Sequence, residues 1–233
     1  MNQFLFGIYP YICLAVFFLG SLARFDREQY SWRSGSSQLL RRSQLRWGSN
    51  LFHVGVLFLL FGHFFGMLTP HWAYEPFLGA GNKQLLAMVS GGIAGVLAII
   101  GLTLLLHRRL ADPRIRVTSS PMDIALLFIL WVQLALGLAT VPLSGQHLDG
   151  SMMLVLAEWA QRIVTFQAGA AELVANVPWV FKVHMVLGLT IFLIFPFSRL
   201  VHIWSGLASV AYVTRAYQIV RHRGSGKSVT RAA

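Results

Sequence analysis

Five stretches of at least eighteen mostly apolar residues, at about 4–23, 49–69, 84–106, 122–142 and 179–204, constrain this 233-residue chain more than any other feature. At about 1.5 Å per residue, each is long enough to cross the hydrocarbon of a bilayer. Backbone N–H and C=O groups meet no water there, so each segment must satisfy them internally, as a helix. With 56% hydrophobic and 12% charged residues, the chain is neither disordered nor composed like an ordinary soluble domain. The expected fold is an all-α membrane protein with five transmembrane helices in one bundle and no internal repeat. The first segment opens MNQFLFGIYPYI, with no basic residue ahead of the apolar run, and reads as a retained span rather than a cleaved signal peptide.

The net charge of +11 raises the question of a nucleic-acid partner. The positions of the charges answer it. Arg24, Arg27, Arg33, Arg41, Arg42 and Arg46 lie between the first two spans. Arg108, Arg109, Arg114 and Arg116 follow the third. Arg199, Arg215, Arg221, Arg223, Lys227 and Arg231 lie at or beyond the end of the fifth. The opposite side holds only Lys83, Arg162 and Lys182. Cytoplasmic loops collect Lys and Arg, which puts the N-terminus outside and the C-terminus in the cytoplasm. A nucleic-acid face would instead gather these charges on one surface with stacking aromatics, so no nucleic acid is expected. Cys13 stands alone, which excludes an internal disulfide and an iron–sulfur cluster held by this chain; it reads as a small buried apolar residue.

Residues 1–223 read as one membrane domain and 224–233 as a flexible tail. The Arg/Ser-rich loop 24–48 suits anionic lipid headgroups or a docked partner. In the outer loop 70–83, Trp72, Tyr74 and Phe77 read as interfacial aromatics. Within the long outer loop 143–178, SMMLVLAEWAQRIVTF reads as a helix lying at the outer surface. The second and third spans are rich in glycine, with Gly62–Gly66 and Gly91–Gly95 as small-xxx-small pairs. Two readings stay open for them: close helix packing, or room for a flat cofactor beside the backbone.

Function is carried by histidines. His53 and His63 lie in one apolar span, His184 and His202 in another. Ionisable groups within a membrane are expensive and mark functional sites. The two spans run in opposite directions, so depth pairs His53 with His202 and His63 with His184. Two facing imidazoles can hold one haem iron, and the pattern therefore predicts two haems in the bundle. One tension is visible. His53 and His63 are separated by a rise of roughly 15 Å, His184 and His202 by roughly 27 Å if both helices are straight. Pro196 lies between the latter two and is expected to kink the span. His71, His107, His147 and His222 are expected in ordinary surface or interface roles, with His147 also placed to line a pocket. A histidine proton relay in a transporter would call for acidic partners within the spans, which are scarce. A plain anchor for a peripheral enzyme would leave the four histidines without a role.

Three segments carry a family resemblance: HFFGMLTPHW (63–72), SGQHLDGS (144–151) and FPFSRLVHIW (195–204). With the five-span layout, they make residues 1–223 resemble the membrane cytochrome b (gamma) subunit of respiratory nitrate reductase. The resemblance implies two haems b, held by His53 and His202 on the inner side and by His63 and His184 on the outer side. It implies quinol as substrate near Lys83, with Gly62 beside it, and electron delivery to an iron–sulfur subunit and a molybdenum catalytic subunit in the cytoplasm of a bacterium. Releasing quinol protons outside while nitrate reduction consumes protons inside would add to a proton-motive force. Chemistry is consistent with a quinol contact, since the Lys83 ammonium can donate to a quinone oxygen; a snorkelling anchor is the alternative. Arg199, one turn before His202, is a candidate partner for a haem propionate, as are Arg114 and Arg116. A related cytochrome b serving another oxidoreductase differs from this reading only by the motifs.

Overall fold

The computed structural model describes residues 1–27, 42–146 and 148–205. Arg33, Arg41, His147, Arg215, Arg221, His222, Arg223, Lys227, Arg231 and the tail fall outside them. Among the described residues the structure is helical, without strands. Among them, five helical segments are long and apolar enough to span a membrane: α1 (Tyr9–Arg27, extending a π turn at Phe4–Ile8), α2 (Arg42–Leu68), α4 (Ala80–Ala111), α6 (Pro121–Ser144) and α9 (Trp179–Ile194), the last carried on to Phe197 by a 3-10 turn. Shorter helices α3 (His71–Tyr74), α5 (Pro113–Val117), α7 (Ser151–Val164) and α8 (Ala170–Leu173) join them. The starts follow local chemistry. Pro121 opens α6 behind Ser120, whose Oγ accepts from Asp123 N, and Asp112 caps α5 by accepting from Arg114 N and Ile115 N.

The spans pack in the order α1–α9–α6–α4–α2, an arc rather than a closed ring, and α2 has no comparable packing on α9. Polar side chains lock neighbours together. The Tyr9 and Thr190 hydroxyls are 2.9 Å apart between α1 and α9, and Trp131 Nε1 donates to Thr103 Oγ1 between α6 and α4. Cys13 is fully buried, as its apolar setting in the sequence suggests.

The glycines divide between the two readings. A Cβ on Gly55 would sit 2.5 Å from the Ala94 carbonyl and 2.7 Å from Ala98 N, so α2 and α4 touch backbone to backbone there. Gly95 is pressed against Leu138. Gly62, Gly66, Gly91 and Gly92 face open space instead, so of the two small-xxx-small pairs only Gly95 makes a close contact. A Gly55→Leu variant should destabilise the bundle by about 1–3 kcal/mol or more, since backbone cannot yield as a side chain does. Gly91→Ala should leave stability unchanged. Thermal unfolding midpoints in detergent test the contrast.

Two expectations are corrected. Helix α7 is not merely laid on the surface: Ala157, Trp159 and Ile163 are buried, Trp159 Nε1 donates to the Phe6 carbonyl, and Gln161 Nε2 donates to the Met67 and Thr69 carbonyls at the end of α2. The apolar stripe covers the ends of the spans, and the amide satisfies carbonyls that a helix terminus leaves orphaned. The fifth span is not one helix through 204. It is helical to Ile194 and continues as two 3-10 turns, Phe195–Phe197 and Arg199–Val201, around the extended residue Ser198. Pro196 has no N–H to continue the ladder.

Candidate functional site

The arc brings the histidines together in the pairs that depth dictates. The His53 and His202 ring centroids are 6.2 Å apart with planes at 73°, and those of His63 and His184 are 6.3 Å apart at 42°. The break at Pro196 removes the tension in the rises, because no continuous helix axis runs from His184 to His202. His53 and His63 reach out of α2, and His184 and His202 are half-buried.

Hydrogen bonds set the chemistry of three of the rings. His53 Nδ1 lies 2.7 Å from the Ser49 carbonyl, His63 Nδ1 2.7 Å from the Leu59 carbonyl and His202 Nδ1 2.7 Å from the Arg199 carbonyl. A carbonyl only accepts, so each Nδ1 carries the proton and each Nε2 keeps its lone pair for a metal. A metal–imidazole bond of about 2.0–2.1 Å, with the ring radius added on both sides, puts the centroids of two axial imidazoles about 6.3 Å apart. Both pairs fit that separation. Among the described residues no group of three or more His, Cys, Asp or Glu side chains is placed to hold a metal ion. Two facing imidazoles suit a metal whose other positions are filled by its own macrocycle, and Gly62 and Gly66 leave open space beside His63.

His184 differs. Its Nδ1 is buried without a hydrogen-bond partner; Gln133 Nε2 donates to the His184 carbonyl at 3.1 Å and lies 3.5 Å from its Nε2. A Cβ on Gly137 would come within 3.0 Å of His184 Cε1, so this glycine makes room for the ring. Neither Gln133 nor Gly137 was expected at the site. A lone amide in an otherwise apolar span is the signal that could have found Gln133.

The turn carrying His202 is held from α1. Arg24 Nη1 donates to the carbonyls of Pro196 (2.6 Å) and Ser198 (2.9 Å), and Trp204 Nε1 donates to Ser21 Oγ. A Cβ on Gly20 would lie 2.8 Å from Pro196 Cγ. In the sequence, Arg24 counts only as one cation of a basic loop. Arg199 Nη1 sits 3.6 Å from Asp123 Oδ1, and Arg109 Nη1 3.8 Å from the other oxygen, so α6 gathers both cations at this end.

At the opposite end, Lys83 sits in the first turn of α4. Its Nζ is buried, has no hydrogen-bond partner and lies 3.4 Å from the centroid of the Tyr74 ring. Residues 148–150 pack on this turn. Gly150 adopts φ 85°, and its missing Cβ would lie 2.7 Å from the Ala80 carbonyl carbon; a Cβ on Gly81 would be 2.7 Å from the Leu148 carbonyl oxygen. Part of the SGQHLDGS segment is thus explained by close backbone approach.

Fold and site together define a multi-span helical membrane protein with two intramembrane histidine pairs, one toward each end of the bundle. A model of the nitrate reductase gamma subunit matches residues 2–223. The respiratory nitrate reductase 1 and 2 gamma chains of Escherichia coli (strain K12) are 54% and 56% identical over 223 and 224 residues, each alignment covering 96% of this chain and 98% of the relative. The nitrate reductase gamma chain of Bacillus subtilis (strain 168) is 39% identical over 224 residues, covering 95% and 99%. The chain belongs to the nitrate reductase gamma-subunit family, and so to the membrane part of an oxidoreductase complex.

Proposed function

We propose that this chain is the electron-transfer subunit of a respiratory nitrate reductase in a bacterial cytoplasmic membrane, taking electrons from quinol and delivering them to iron–sulfur and molybdenum subunits on the cytoplasmic side. The observation that supports it best is the pair of histidine separations, 6.2 and 6.3 Å, on spans that otherwise hardly touch. His53 with His202, and His63 with His184, would each hold one haem b. Haem bound there would supply a one-electron carrier near each end of the bundle.

The remaining chemistry belongs to the chain. Lys83 donates hydrogen bonds to a quinol oxygen and stabilises the negative charge that develops as protons leave; Gly62, with no Cβ, leaves space for the ring beside His63. Quinol loses two electrons and two protons to become quinone. With Lys83 toward the outer face, those protons leave outside while nitrate reduction takes up protons inside, which builds a proton-motive force. Arg199, one turn before His202, is the candidate partner for a propionate of the group held by His53 and His202. Arg24 positions His202 by satisfying the carbonyls that the Pro196 break releases.

The test is a haem-to-chain ratio on the purified complex, with an oxidised-minus-reduced spectrum after quinol addition. Two quinol-reducible b-type haems per chain are expected; absence of haem would overturn the proposal. An Arg24→Ala variant should lose affinity for the haem at His53–His202 by about 10–100-fold, the usual cost of removing support behind a metal ligand. The other haem should stay, as a redox titration would show.

A further inference from the structure

Tyr74 ends the short helix α3, and its backbone carbonyl accepts from Phe77 N at 3.0 Å and Leu78 N at 2.8 Å, fixing the turn that leads into α4. His71 packs edge-on against the ring at 5.2 Å, and its Nδ1 lies 3.1 Å from Glu75 Oε2. A face of the ring meets the Lys83 ammonium at 3.4 Å from its centroid. That contact holds the cation in place but leaves its N–H donors without an acceptor. The Tyr74 hydroxyl is likewise buried without a hydrogen-bond partner. Buried polar atoms are nearly always paired, so two adjacent unpaired ones point to a polar ligand. Burial, with the Glu75 charge adding to it, pushes the Tyr74 phenol up from its ordinary value, so it stays protonated.

The two groups differ in what they offer. An ammonium only donates, whereas a phenol donates or accepts. A quinol hydroxyl does both, and a quinone oxygen only accepts. Lys83 alone can serve the acceptor side of either form, but only a group like Tyr74 can also take the quinol O–H and then turn to donate to the quinone. Resting on the reading of Lys83 given above, we propose that Tyr74 is a direct contact of the quinol site, its hydroxyl joining the Lys83 ammonium on one oxygen of the quinol headgroup.

The experiment uses the intact detergent-purified complex, with duroquinol as substrate and dithionite-reduced haem content as the assembly control. Tyr74→Phe keeps the ring under the ammonium and loses only the hydroxyl; it should raise KM about three- to tenfold, the range for one lost hydrogen bond, with kcat nearly unchanged. Tyr74→His, which keeps a ring and an N–H donor, should restore most of the loss, and Tyr74→Leu should be worse than Tyr74→Phe. If Tyr74→Phe does not assemble, the contrast between Tyr74→His and Tyr74→Leu carries the same information. Unchanged KM in Tyr74→Phe, with Lys83→Ala defective, would overturn the role of Tyr74 and leave the quinol site standing. Full quinol oxidation by Lys83→Ala would remove the site and the proposal together.

Discussion

A His184→Ala variant is expected to insert and assemble but to carry one haem in place of two, and to lose quinol-driven reduction of the haem that remains. His184 and His63 face each other at 6.3 Å, so on the haem reading removing one imidazole would leave one histidine where two would hold the group. The second pair is built from different turns: His53 hangs from Ser49 and His202 from Arg199, and neither bond involves His184. The haem at His53–His202 should therefore stay reducible by dithionite. A pyridine haem assay, paired with reduction by duroquinol and then by dithionite, separates the two effects. Normal reduction by quinol in this variant would defeat the assignment of the pair. His71→Ala, whose imidazole meets Glu75 across the short helix α3 and away from both histidine pairs, should keep both haems.

Lys83→Ala should give the converse phenotype: both haems present and dithionite-reducible, with quinol oxidation greatly reduced. The ammonium is buried at Nζ and held over an aromatic face, a partly desolvated setting in which a charge-assisted hydrogen bond is worth about 1.5–3 kcal/mol. At 1.4 kcal/mol per decade that corresponds to roughly a ten- to hundredfold loss in kcat/KM. Lys83→Arg should recover part of it, since the charge returns but a planar fork replaces a compact point charge. If Lys83 were only a snorkelling anchor, arginine would substitute fully and alanine would change little; steady-state duroquinol kinetics distinguish the two.

The spans and the pairing of the histidines were legible because they follow from rules that act along the chain. Apolar length sets the helices, and two helices of opposite direction put His53 opposite His202 and His63 opposite His184. What escaped depends on partners far away in sequence. Pro196 announces a kink, but the two 3-10 turns that follow are held by Arg24, and nothing near Arg24 marks it as more than one charge among many. Tyr74 reads as an interfacial aromatic because it shares a short outer loop with Trp72 and Phe77; those two are exposed in the structure, whereas the Tyr74 hydroxyl is buried and its ring lies under the Lys83 ammonium. The stripe of α7 was visible, but a helix with one apolar face looks the same whether that face meets lipid or the ends of other helices.

The arc of helices has a consequence for how the cell handles the chain. Its two ends, α1–α9 and α4–α2, are joined through α6 and capped by α7, while α2 meets α9 through the His63–His184 pair and the turns after α9 through the His53–His202 pair. On the haem reading, that seam is closed by what the protein carries. Anything bound to the folded form alone stabilises it by mass action, so the loaded subunit gains a fastening that the empty one lacks. A membrane protease acting on newly inserted chains would then clear empty subunits before loaded ones, and haem supply would set how much of this protein survives.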